Sequence, residues 1–134
     1  MKIYVVTDQA GWCWASTVEE IASRLPQHEF VVTSKPRVEE AAAADLIWIR
    51  GYPYLFRNAA QAGVPVVWTF CTGGARAQDL IDRCRPYFGL GTVVCQNTAT
   101  RELLVEAGAG KVVVIPNGVD ADRFHPAERP PESF

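Results

Sequence analysis

With 134 residues, 49% of them hydrophobic and 21% charged, the chain suits one domain with a buried core and is too apolar for disorder. A net charge of −2 and a pI near 5.7 give no electrostatic case for nucleic-acid binding. No stretch approaches the roughly 20 apolar residues of a membrane span. The start, Met1-Lys2-Ile3-Tyr4-Val5-Val6, lacks the longer apolar run of a signal peptide, so a soluble, cytoplasmic protein without a transmembrane segment is expected.

Taken in chain order, strand-length apolar runs alternate with helical patterns. Lys2 to Thr7 reads as a first strand, followed by the loop Asp8-Gln9-Ala10-Gly11. A helix is predicted from about Trp14 to Leu25, with Val18, Ile21, Ala22 and Leu25 at helical spacing and Pro26 ending it. Phe30 to Thr33 is a second strand and Glu39 to Ala44 a short alanine-rich helix. Asp45 to Arg50 is a third strand, and Tyr54 to Ala62 a helix stopped by Gly63. Pro65 to Phe70 is a fourth strand. A helix from about Ala75 to Cys84 follows Cys71-Thr72-Gly73-Gly74 and ends at Pro86. The last third holds a strand at Val93-Val94-Cys95, a helix from Thr98 to Ala107 with a Gly108-Ala109-Gly110 stop, and a strand from Lys111 to Ile115.

Six strands in strict alternation with helices imply an α/β, Rossmann-like three-layer sandwich: a six-stranded parallel sheet with helices on both faces. Right-handed crossovers suggest the strand order 3-2-1-4-5-6. The runs Ile-Tyr-Val-Val, Leu-Ile-Trp-Ile and Val-Val-Trp-Thr-Phe fit central strands buried on both sides. The expected domain spans residues 1–120, with 121–134 a linker or tail.

Ligands of such sheets collect beyond the carboxyl ends of the strands, near the point where strand order reverses. With the expected order, that point lies between the first and fourth strands, so the loop from Asp8 to Trp14 should face Cys71-Thr72-Gly73-Gly74. Gly11 lets the first loop turn tightly, but a lone Gly11 makes no Gly-x-Gly-x-x-Gly fingerprint, and no cofactor is expected. Trp12 gives that rim an aromatic face suited to sugar rings or apolar acceptor tails. Thr72, Gly73 and Gly74 ahead of a helix form an anion-binding candidate, to which Arg76, Arg50 and Arg101 add positive charge. Asp8 is either a cleft carboxylate or a cap for loop N–H groups. The four cysteines (Cys13, Cys71, Cys84, Cys95) lack Cys-x-x-Cys spacing and clustered histidines, so neither a metal site nor a disulfide framework is expected. Cys84 and Cys95 read as small apolar core groups.

The strand, helix and strand of the last third lead into Pro116-Asn117-Gly118-Val119-Asp120 and then Arg123-Phe124-His125-Pro126. This succession resembles the seam between the two halves of a GT-B glycosyltransferase, in the large retaining group that uses nucleotide-sugar donors (glycosyltransferase group 1, family 4-like). Asn117-Gly118 permits a turn with positive φ, Asp120 completes the motif, and Phe124 can dock the outgoing chain. The resemblance implies an acceptor-side, N-terminal domain whose partner is a C-terminal donor-binding domain, from the same gene or a separate chain. It also implies a sugar, lipid or other small-molecule acceptor, and no transfer by this chain alone. Many members read Thr-Phe-His-Asp or Thr-Phe-His-Thr after the fourth strand, with the histidine lining the catalytic cleft; this chain reads Thr69-Phe70-Cys71-Thr72. A thiol does not copy a neutral imidazole, which both donates and accepts hydrogen bonds. A different acceptor, altered chemistry and a silent site all stay open at that position. The rival reading is a non-catalytic Rossmann-like binding or protein-interaction module that uses the same rim.

Overall fold

Short apolar segments joined by helical crossovers pair in parallel, and the chain does so throughout. The computed structural model describes residues 1–8, 13–71 and 77–117, with the backbone alone for 13–15. Within these run β1 (Lys2–Val6), α1 (Cys13–Arg24), β2 (Glu29–Thr33), α2 (Val38–Ala41), β3 (Leu46–Ile49), β4 (Val66–Phe70), α3 (Ala77–Cys84), β5 (Thr92–Cys95), α4 (Thr98–Glu106) and β6 (Val112–Val114). All the strand pairs are parallel, in one six-stranded sheet. This is the expected α/β, Rossmann-like class.

The strand order is β2-β1-β3-β4-β5-β6, which corrects the expected 3-2-1-4-5-6. The reason lies in the strands themselves. A strand inside a parallel sheet is covered on both faces and must be apolar on both. Leu46-Ile47-Trp48-Ile49 meets that demand, and Ile47 and Ile49 are fully buried. Glu29-Phe30-Val31-Val32-Thr33 does not: Glu29 is exposed and Val32 keeps 47% of its surface. Each fully buried isoleucine is worth about 1.5–3 kcal/mol over leaving it in water. The arrangement with β3 inside and β2 at the edge therefore wins.

The expected helix over Tyr54 to Ala62 is also corrected. Two 3₁₀ turns, Pro53–Phe56 and Ala59–Ala62, stand there, separated by Asn58 at φ −97° and ψ 13°. The buried side chains are Pro53, Phe56, Ala59 and Ala62. That spacing of three lines up on one side of a three-residue turn and drifts around an α-helix.

Alternation along the strands divides the interior in two. Tyr4 and Val6 of β1 join Ile47, Ile49, Trp68, Phe70, Ile81, Cys84, Val93 and Leu104 in the main core, under α2, α3, α4 and the 3₁₀ turns. Ile3 and Val5 point the other way, to Val18 of α1, with Phe30, Leu46 and Trp48 packed alongside. Trp68 is fully buried and stacks on Phe88 with ring centroids 6.3 Å apart. The Tyr4 hydroxyl accepts from the Arg37 N–H and donates to Glu40 Oε2, both at 3.1 Å, which pins the short α2 to β1. Burial, with help from the Glu40 carboxylate, raises that phenol's pKa.

Helix α4 shows how local sequence sets its bounds. Asn97 caps it by accepting from the Thr100 N–H at 2.8 Å. At its other end Gly108, at φ 101°, donates to Val105 O while Ala109 donates to Leu104 O, the paired pattern of a Schellman stop. Arg85 Nη1 closes the Ala107 carbonyl at 2.7 Å.

Gly91, just before β5, lies so close to β4 that a Cβ there would overlap the Val66 carbonyl. Gly91→Ala should lower stability by about 1–3 kcal/mol in urea unfolding. Gly89→Ala, where a Cβ would meet nothing within 4 Å, should stay within about 0.5 kcal/mol of the parent. Equal midpoints for the two would contradict this packing.

Candidate functional site at the carboxyl edge of the sheet

Because β3 separates β1 from β4, the residue that follows β3 becomes the centre of the carboxyl edge. Strand order reverses between β1 and β3, not between β1 and β4 as the expected order implied, which puts Arg50 beside the reversal point; most of the loop after β1 and Thr72-Gly73-Gly74 lie outside the described residues. The Arg50 N–H continues the ladder by donating to Val6 O at 2.8 Å. Its guanidinium reaches the other way, and Nη1 donates to Cys71 Sγ at 2.8 Å in a part-buried contact. One arginine thus bridges the ends of three neighbouring strands.

The loop after β3 is braced on the core side. Tyr52 and Tyr54 stack with centroids 5.3 Å apart, and Tyr52 meets the Phe70 ring edge-on at 6.3 Å. The Arg83 guanidinium lies over Tyr54, 5.5 Å from its centroid. Burial raises the pKa of the Tyr54 phenol, with the Arg83 charge opposing. These contacts hold the chain just after Gly51, and the Arg50 N–H bond to Val6 O holds it just before. A guanidinium stays charged at any physiological pH and offers a planar fork of donors that matches carboxylate and phosphate oxygens.

Of the residues singled out in the sequence, the structure brings Arg50 and Cys71 together. Asp8 stands half-buried two positions beyond β1. Arg101 is exposed in the first turn of α4, which follows β5, two strands along the sheet from β3. Asn117 is exposed beyond β6. Gly11, Trp12, Thr72, Gly73, Gly74, Arg76, Gly118, Asp120 and Phe124 lie outside the described residues. Among the described residues no group of His, Cys, Asp and Glu is placed to hold a metal ion, and no helix is long and apolar enough to cross a membrane.

The structure adds a feature that the motifs did not announce. The face of the sheet beside α1 carries a groove of about 420 Å³ that begins at the carboxyl edge. Trp48 and Val67 lie in its floor, and Trp48 Nε1 donates to Thr69 Oγ1 at 3.2 Å. Arg50, Gln96 and Asn117 stand at its rim end. The signal was in the strands: Leu46, Trp48 and Arg50 fall on one face by alternation, as do Val67 and Thr69.

The all-parallel α/β sheet, with Arg50 and Cys71 at its carboxyl edge, makes this a Rossmann-like domain. A family model described as Glycosyltransferase Family 4 matches residues 15–123. The chain belongs to that family. No curated protein matches it.

Two further thiols, Cys84 and Cys95, belong to the packing. Cys84 is fully buried, and burial pushes its pKa from 9.0 up to about 11. Cys95 is buried, donates to Asn97 O at 3.5 Å, and is likewise raised by burial. At pH 8 an alkylating reagent should modify Cys71 in the native chain and leave Cys84 and Cys95 untouched until urea is added, as read by peptide mass spectrometry. The Cys84 shift also sets a pH dependence. The folded state keeps that proton to a higher pH than the unfolded state does, so the contribution is intact below pH 9 and is lost as pH rises toward 11. Urea midpoints should fall across that window more steeply for the parent than for Cys84→Ala.

Proposed function

We propose that this chain is the acceptor-side domain, over residues 1–120, of a GT-B glycosyltransferase that moves a sugar from a nucleotide-sugar donor. Residues 121–134 then lead toward a donor-binding domain, in the same polypeptide or on a separate chain. The observation that carries the reading is the Arg50–Cys71 pair at the carboxyl edge of a Family 4 chain. That edge is where open parallel sheets present their ligands.

In this reading transfer takes place in the cytoplasm, in a cleft between two domains. Asp8, Gly11, Trp12, Arg50 and Cys71 line the acceptor side of the cleft. Thr72, Gly73, Gly74 and Arg76 form the anion-binding part of that cleft, toward acceptor or donor phosphate, with Arg101 further along the edge. The Arg50 guanidinium, held at the edge by its bond to Cys71, orients an anionic group of the acceptor and does so without reorganising. Asn117, Gly118 and Asp120 turn the chain toward the second domain, and Phe124 anchors the exit. No step here is assigned to a base on this chain; its residues bind, orient and neutralise. The other reading, a non-catalytic binding module, uses the same edge and carries out no transfer.

Two measurements separate them. Calorimetric titration of uridine diphosphate glucose into this chain alone should show no tight binding, because the donor site belongs to the second domain. Sugar transfer should appear when a donor-binding domain is supplied in cis or in trans, and Arg50→Gln should reduce it roughly tenfold or more. Tight donor binding by the isolated chain would sink the division of labour. Absence of transfer across a panel of nucleotide sugars with the second domain present would favour the binding module.

A further inference from the structure

Parallel sheets are ordinarily covered on both faces. Here α2, α3 and α4 pack on one side, while among the described residues the main cover of the other is α1, over β1 and β3. Beyond that cover the apolar face continues, with Val67 and Val94 half-buried and Ile115 56% exposed.

The lining of the groove is ordered along the strands, and the pairing register shows how. Ile3 pairs with Leu46 nearest the amino ends, Trp48 pairs with Val67 one step up, and Thr69 pairs with Val94 beyond that. Arg50 and Gln96 lie two residues past Trp48 and Val94 and continue the same face. The lower half of the floor is therefore apolar, and its polar groups gather in the upper half. The wall repeats the order. Thr17, Ile21 and Leu25 line the groove at i, i+4 and i+8, and a crossover helix runs back against its strands, which puts Thr17 at the carboxyl end. Among the described lining residues Arg50 is the only charged one.

We propose that this groove holds the apolar chain of an amphiphilic acceptor, with an anionic head group at Arg50 and the tail lying along the sheet toward Leu46. The proposal rests on the reading of the carboxyl edge as the side of transfer, and it names the substrate class for that site. From Leu46 to Arg50 is four strand residues, about 13 Å, which suits a medium-length chain. A volume of about 420 Å³ falls within the usual range for small-molecule pockets. The single cation sits at the end where the polar groups gather, so charge and polarity both fix the direction of the amphiphile. A free sugar acceptor would leave the apolar floor uncovered.

The probe is decyl phosphate, titrated into the whole chain below its micellar concentration and followed by calorimetry. Saturable binding is expected, with none measurable for inorganic phosphate and roughly tenfold weaker binding for decyltrimethylammonium. Val94→Arg, which puts a charge on the half-buried floor, should abolish binding while circular dichroism shows the fold intact. Arg50→Gln should remove the preference for the phosphate head and keep binding of the tail. If Val94→Arg does not fold, the Arg50→Gln head preference decides the question. No saturable binding by the parent overturns the proposal, as does unchanged binding by Val94→Arg or unchanged head preference in Arg50→Gln. A parent that binds nothing and is strongly destabilised by Val94→Arg would show instead that protein covers the face. Transfer by the completed enzyme without decyl phosphate binding would remove the amphiphile and keep the transferase. Binding without transfer would remove the role of the groove as an acceptor site.

Discussion

The burial of Leu46-Ile47-Trp48-Ile49 between two other strands governs the rest of this structure. Backbone N–H and C=O groups inside a sheet need partners on both sides, and the side chains above and below must tolerate a dry environment. This segment satisfies both conditions. Its neighbours are then fixed: β1 on one side, β4 on the other, and β2 displaced to the edge where Glu29 reaches water. From the same placement follows the point at which strand order reverses. Arg50, the residue that leaves β3, therefore stands beside that point at the carboxyl edge.

Side-chain alternation turns this into an asymmetric molecule. Ile47 and Ile49 face the main core, where three helices and the 3₁₀ turns exclude water. Leu46 and Trp48 face the other side, where among the described residues α1 is the packed helix. Residues that take part in rigid packing and residues that line the groove thus alternate along one strand. Trp48 belongs to both descriptions, since its ring packs beside Ile3 and Val5 while its indole N–H is tied to Thr69 across the floor. That tie keeps a polar hydrogen satisfied on an otherwise apolar surface, where an unpaired donor is costly.

Much of this was legible in the sequence, and the parts that were not have physical explanations. Strand positions and the α/β class follow from apolar runs, which report local burial directly. Strand order is a property of how far the crossovers reach, and local periodicity does not encode it. The composition of the strands does encode it in part: a Leu-Ile-Trp-Ile run suited to the interior is inconsistent with the edge position that the order 3-2-1-4-5-6 assigns to it. Phe56, Ala59 and Ala62 satisfy the i+3 part of a helical pattern, so local spacing alone does not separate these 3₁₀ turns from a helix. The i+4 partners that would have distinguished the two are Ala60 and Gly63, and both are exposed. At the edge, Arg50 and Cys71 were each identifiable, but their contact depends on β3 and β4 being neighbours.

That contact bears on the cysteine at a position where the resembling enzymes carry histidine. A neutral imidazole beside an arginine can accept one N–H from the guanidinium and present its own N–H to a ligand. A protonated imidazole there would be repelled by the fixed positive charge. The Cys71 sulfur accepts from Arg50 Nη1 at 2.8 Å and so helps to keep the guanidinium in place. It does not supply the second nitrogen. What position 71 retains is the means of holding a cation at the rim; what it gives up is a group able to pass a proton to or from a sugar hydroxyl. In the proposed transferase the edge of this domain therefore positions charge through Arg50, with Cys71 among the groups that hold it.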